Sequence, residues 1–156
     1  VRNSVHVVIV AGGDYAINRA ACENSKVDIL AHPELNRLDN GLDEACLNAA
    51  FANNVAIEVN FREILYAYRK PRSHVLNKIA TNIRLATALH APLTVCSGAR
   101  SHWDMRDARE LVSIANIFGV ELGSAFACVT SIPQNIVENN KKILSGASPN
   151  KGVEVE

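Results

Sequence analysis

The sequence predicts an α/β fold built on parallel strands with both faces covered, and three observations carry that prediction. Four short runs are apolar and rich in β-branched residues throughout, without the alternation of half-exposed strands. Helical segments lie between the runs, and strand–helix alternation implies right-handed crossovers. The length of 156 residues suffices for one domain with a real core and falls short of two comfortable ones.

The first strand is expected over Val5–Val10, followed by a helix capped by Asp14 and ending near Asn24. The second strand is Val27–Ala31. The helix after Gly41 puts Leu42, Ala45, Cys46, Ala49 and Ala50 on one side. The third strand is Val55–Val59. From Ser73 to about His90, Val75, Leu76, Ile79, Ile83 and Ala86 line one helical face. Pro92–Cys96 is the fourth strand. Asp104 or Asp107 then caps a helix carrying Leu111, Val112, Ala115 and Phe118, stopped by Gly119. A short helix is expected within Ser124–Ser131, and a last one from Pro133 to near Gly146.

Two architectures share this pattern, an open doubly wound sheet and a (β/α) barrel. A complete eightfold barrel takes about 250 residues. With four βα units visible, a chain of the barrel class would lack one or more N-terminal units. The start at Val1 rather than Met reads as the mark of an excised or processed product. We expect one partial barrel domain over residues 1–145 and a flexible tail over 146–156, where Ser, Pro, Asn and Gly prevail.

Sixteen basic residues balance 16 acidic ones, so attraction to nucleic acid must come from local patches. Aromatic residues are 5% of the chain, too few for a broad base-stacking surface. Cys22, Cys46, Cys96 and Cys128 form no CxxC pair and read as reduced thiols of a cytoplasmic protein. No apolar run reaches the length of a membrane span.

The chemically unusual residues gather where strands end, the edge on which α/β folds place their sites. Ala11-Gly12-Gly13-Asp14 follows the first strand, and His32-Pro33-Glu34 follows the second. Glu58 and Asn60 end the third, and Ser97-Gly98-Ala99-Arg100-Ser101-His102 follows the fourth. Gly12-Gly13 can form an anion nest or a plain turn. His32 can be a ligand, a base or a hydrogen-bonded loop residue. A buried Glu58 requires a partner such as Arg100. Ser97-Gly98 is no nucleophile elbow. From Arg62 to Arg84, Arg62, Arg69, Lys70, Arg72, Lys78 and Arg84 face Glu63 alone, with Tyr66 and Tyr68 interleaved. That stretch is a candidate phosphate-contacting surface or a solvated helix face.

Several phrases at the strand ends resemble a known family. Asn18-Arg19-Ala20-Ala21, Val27-Asp28-Ile29-Leu30-Ala31-His32-Pro33-Glu34 and Gly41-Leu42-Asp43 are similar to protein component 3 of archaeal ribonuclease P. The likeness continues through Asn54-Val55-Ala56-Ile57-Glu58-Val59 and Ser97-Gly98-Ala99-Arg100 to Asp104-Met105-Arg106, covering roughly Val5 to Lys142. That family is homologous to the thirty-kilodalton subunit of the eukaryotic enzyme. The resemblance implies a TIM-barrel-like fold of the polymerase and histidinol phosphatase superfamily. It also implies removal of the 5′ leader from precursor tRNA by an RNA that catalyses with Mg²⁺. It implies pairing with component 2, the Pop5-type subunit, in a two-plus-two assembly.

The superfamily's metal-binding His-x-His is absent, and Gly98-Ala99-Arg100 stands where its Asp-x-His would be. Replacing an anionic ligand by glycine and a neutral donor by a cation removes metal affinity. The expectation is therefore a non-catalytic ribonuclease P subunit that binds no cofactor of its own and no membrane. Arg19, Arg37, Arg100 and Arg106 are expected RNA or rim contacts, supported by Arg69, Lys70, Arg72 and Lys78. His32 and Glu58 are expected to hold the rim. The alternative is a stand-alone metal-dependent phosphoesterase of the same superfamily.

Overall fold

The computed structural model describes residues 4–146. Its strands are β1 (Ile9–Ala11), β2 (Ile29–Ala31), β3 (Ala56–Asn60) and β4 (Leu93–Cys96). Its helices are α1 (Tyr15–Cys22), α2 (Glu44–Ala52), α3 (Phe61–Tyr66), α4 (Lys70–Ala88), α5 (Ala108–Ile117), α6 (Leu122–Val129) and α7 (Ser131–Leu144). A 3₁₀ turn covers His102–Asp104. The expected tail lies outside the described residues, apart from Gly146.

Caps explain most helix starts. Asp14 accepts from the amides of Ala16 and Ile17, Asp43 from that of Cys46, and Asp107 forms a capping box with Glu110. Helix α4 begins three residues before the expected Ser73, with Pro71 in its first turn where a missing N–H costs nothing. Pro133 likewise lies in the first turn of α7, which starts at Ser131. Helix α3 has no counterpart in the sequence pattern; six residues are too few to show a period.

β1 begins later than its apolar run suggests. The amide of Val8 donates to the Asp28 carboxylate at 2.8 Å, so a side chain takes the place of a ladder acceptor there. Regular pairing starts only with Ile9 opposite Ile29.

All pairings are parallel and the sheet order is β1-β2-β3-β4. Sequential order is that of a barrel wall, whereas a doubly wound sheet reverses direction at a switch point. The order therefore selects the TIM-barrel-like alternative. Val10, Leu30, Ile57, Val59, Leu93 and Val95 share one face and pack into a core with Leu47, Ile79, Ile83 and Leu111 from the helices. By alternation Ile9, Ile29, Ala56, Glu58, Asn60, Thr94 and Cys96 take the opposite face. Ile9 is 55% exposed on that face, at the outermost strand.

Helix α7 closes the opposite end of the sheet. The Asn140 amide donates to the His6 carbonyl, and Ile136 and Asn140 meet Asp28 and Asn54 around a small cavity. No helix among the described residues is long and apolar enough to cross a membrane.

Candidate functional site

The register of β3 and β4 brings distant polar residues together at the C-terminal ends of the strands. Glu58 lies opposite Thr94 and Asn60 opposite Cys96. The Cys96 thiol donates to Glu58 Oε1 at 2.9 Å. Burial and the nearby Glu58 carboxylate push this thiol up to about 12, so it stays protonated and unreactive at neutral pH. The partner expected for Glu58 was Arg100. The structure instead supplies Cys96, and Arg100 sits outside in an exposed loop.

Asn60 caps α3 through its contact with the Arg62 amide, and Arg62 fills the centre of the rim. The Arg62 guanidinium donates to Gly98 O at 3.0 Å and lies 3.2 Å from both His32 Nε2 and Glu63 Oε1. A guanidinium only donates, so His32 Nε2 is an acceptor and the imidazole proton sits on Nδ1. His32 Nδ1 in turn faces Glu63 Oε1 at 3.6 Å. His32 is thus placed between an arginine and a carboxylate, with its buried Nδ1 making no hydrogen bond among the described residues. Glu34, two residues on, is buried, which raises its carboxyl to about 7; Glu63 and Glu58 act in the same direction.

Asparagines lock the loops around this centre. Buried Asn18 of α1 donates to Pro33 O at 2.9 Å and Gly41 O at 2.8 Å and accepts from the Gly13 amide at 3.2 Å, tying the loop after β1 to the loop after β2. Asn82 of α4 donates to Asn40 O at 2.9 Å and accepts from its side chain at 2.8 Å. Gly98 has φ +57°, and an added Cβ would lie 2.1 Å from Asn60 Oδ1. Gly98→Ala is therefore expected to cost about 2 kcal/mol, from left-handed backbone strain and overpacking. Urea denaturation checks it, and an unchanged midpoint would mean that Asn60 is free to move.

A second cluster lies just outside. Asp104 is buried and accepts from the amides of Arg100 and Ser101, each at 3.1 Å, and from the Tyr66 hydroxyl at 2.7 Å. The Tyr66 bond holds Asp104 below the usual carboxylate range and raises the tyrosine in return. This joins the end of α3 to the 3₁₀ turn. Tyr66, Tyr68, Trp103 and Met105 are all exposed. Three of the eight aromatic residues, Tyr66, Tyr68 and Trp103, are thus exposed at the end of α3, just after it and on the 3₁₀ turn.

The expected contact residues divide. Arg69, Lys70 and Arg100 are exposed, with Arg69 5.3 Å from the Tyr68 ring centroid. Arg106 is held by the carbonyls of Trp103 and Met105 and by the Phe61 ring. Arg72 donates to Ala67 O at 2.7 Å, satisfying the end of α3. The Lys78 ammonium is bound to the Arg37 carbonyl, so this lysine reaches the loop after β2 and leaves the basic cluster. Arg19 pairs with Glu23 along α1, and Arg37 makes a two-pronged contact with Asp39. Among the described residues no three His, Cys, Asp or Glu side chains stand together as a metal-binding group.

Comparison with known proteins matches residues 1–143 to the family model for RNase P subunit p30. Ribonuclease P protein component 3 of Methanosarcina acetivorans is 37% identical over 140 residues, which are 90% of this chain and 58% of that protein. The Methanothermobacter thermautotrophicus protein of the same name is 33% identical over 139 residues, 89% of this chain and 57% of the relative. The chain thus spans somewhat over half the length of these relatives. A chain from a cryo-EM structure of archaeal ribonuclease P with mature tRNA superposes with a TM-score of 0.85. That likeness covers 98% of this chain and 65% of the other at 29% identity.

Proposed function

We propose, because this chain belongs to the RNase P subunit p30 family, that it serves as a non-catalytic protein subunit of ribonuclease P. In that role it supports an RNA catalyst that removes the 5′ leader of precursor tRNA. The observation that carries the reading is the family match over residues 1–143, nearly the whole chain. The geometry supports it, because Arg62 reaches across the strand ends and the Glu58 and Glu63 carboxylates are engaged with protein donors. A cation already fixed there by three residues competes with a metal ion for the same charge. Mg²⁺ belongs to the RNA on this reading, and the protein binds none of its own. A Pop5-type component 2 is the protein partner, and the cytoplasm is the setting.

The test is affinity purification of the chain from its source. Retention of ribonuclease P RNA and precursor-tRNA cleavage by the retained complex support the subunit. Phosphoester turnover by RNA-free, metal-loaded protein would overturn it.

The placement of the basic residues makes a finer expectation. Neutralising Arg69 and Lys70 should lower the log–log salt slope of RNA binding by about 0.7–0.9 for each phosphate no longer neutralised. Lys78→Met should leave the slope unchanged and lower stability, because its ammonium serves the Arg37 carbonyl. An equal fall in slope at all three positions would return Lys78 to the RNA-facing surface.

A further inference from the structure

We propose that Trp103 is a stacking platform for an unpaired RNA base, an inference that rests on the subunit reading above. Trp103 is the sole tryptophan of the chain and is 78% exposed. Leaving so large an apolar ring in water forfeits the burial that usually justifies it. The ring is nevertheless not carried on a loose loop. It sits in the 3₁₀ turn whose C-terminal residue, Asp104, is buried and holds the turn through the amides of Arg100 and Ser101 and the Tyr66 hydroxyl. Arg106 donates to the Trp103 carbonyl at 3.1 Å, fixing the backbone from the other side. An exposed ring on an anchored backbone loses little freedom when a planar ligand lands on it.

The surroundings decide the kind of ligand. The His102 ring centroid lies 4.5 Å from that of Trp103, adding a second planar group. Arg100 is exposed three positions before Trp103, and the acid of the turn is buried and consumed by hydrogen bonds. Aromatic faces with an exposed arginine three residues away suit a nucleotide, whose base stacks while its phosphate meets the cation. A duplex hides its base faces, so the ligand is a single-stranded or bulged nucleotide. A protein helix docked here would bring the apolar face without needing the flanking positive charge.

The experiment uses Trp103 emission as its own reporter, taken as the difference between the parent chain and W103F. Titration with a single-stranded uridine 12-mer should quench that emission, and a blunt RNA duplex of equal length should not. W103A should weaken 12-mer and ribonuclease P RNA binding roughly 5- to 150-fold, the range for removing one stacked base. W103F, which keeps an aromatic face, should recover much of it. Unchanged emission, equal response to the duplex, or parental RNA affinity in W103A overturns the platform. Emission changing only on addition of component 2 also overturns it, in favour of a protein interface. If the parent retains ribonuclease P RNA while W103A does so equally well, the platform fails and the subunit reading stands. If the parent retains no such RNA, both fall.

Discussion

Arg62→Ala should lower the stability of this chain by about 3 kcal/mol, the lower end of the range for breaking a buried pair. The side chain is 16% exposed, which weakens solvent compensation without removing it. Alanine would strand the Gly98 carbonyl and the Glu63 carboxylate, and would leave His32 Nε2 only the longer 3.4 Å contact with the Asn60 amide. Each buried acceptor left without a donor costs about 1–3 kcal/mol, and water entering the gap recovers part of that. For a domain of this size such a change corresponds to a fall in Tm of about 6–12 °C. The double variant R62M/E63Q should recover much of the stability, since replacing both charges by groups of similar volume is often nearly neutral. Chemical denaturation of the parent and the two variants decides it. A fall below about 1 kcal/mol for Arg62→Ala would show that the guanidinium is a surface charge.

The meeting of polar residues at one edge was legible in the sequence, because parallel strands point the same way and their ends must coincide. The identity of each partner was not. Glu58 finds Cys96 only through the β3–β4 register, which an apolar run cannot specify to the residue. Arg62 was visible merely as one charge in a basic stretch, since the short helix that turns it inward carries no periodic pattern. The same stretch looked uniform along the chain. Folded, it splits into exposed Arg69 and Lys70, a carbonyl-capping Arg72 and a Lys78 that crosses to another loop. Sequence separates charge from apolarity well; it does not tell which charges are spent on backbone carbonyls. The buried asparagines show the same limit. Asn18 and Asn82 look like surface amides and instead staple α1 and α4 to the loop after β2.

Glu34→Gln should make the chain clearly more stable than its parent at pH 8, with a much smaller gain at pH 5. Burial raises the Glu34 carboxyl to about 7, well above its value of about 4.3 in an unfolded chain. The folded state therefore binds the proton more tightly than the unfolded state. Between those two values the folded chain holds more protons, so stability falls as pH rises. The penalty is absent below about pH 4, grows through the interval and is complete above about pH 7. A displacement of that size is worth at most about 3–4 kcal/mol. Glutamine keeps the shape and a donor on the same branch, and it has no proton to lose. Urea midpoints of parent and variant at pH 5, 6, 7 and 8 isolate this carboxyl, because the two proteins differ at no other position. Parallel pH profiles would mean that Glu34 is already ionised in the folded chain and that a donor meets it. The expected profiles instead converge at low pH and part at high pH. Glu34 then adds an anion beside Glu58 and Glu63 only above neutrality, where Lys78 is the cation that opposes it.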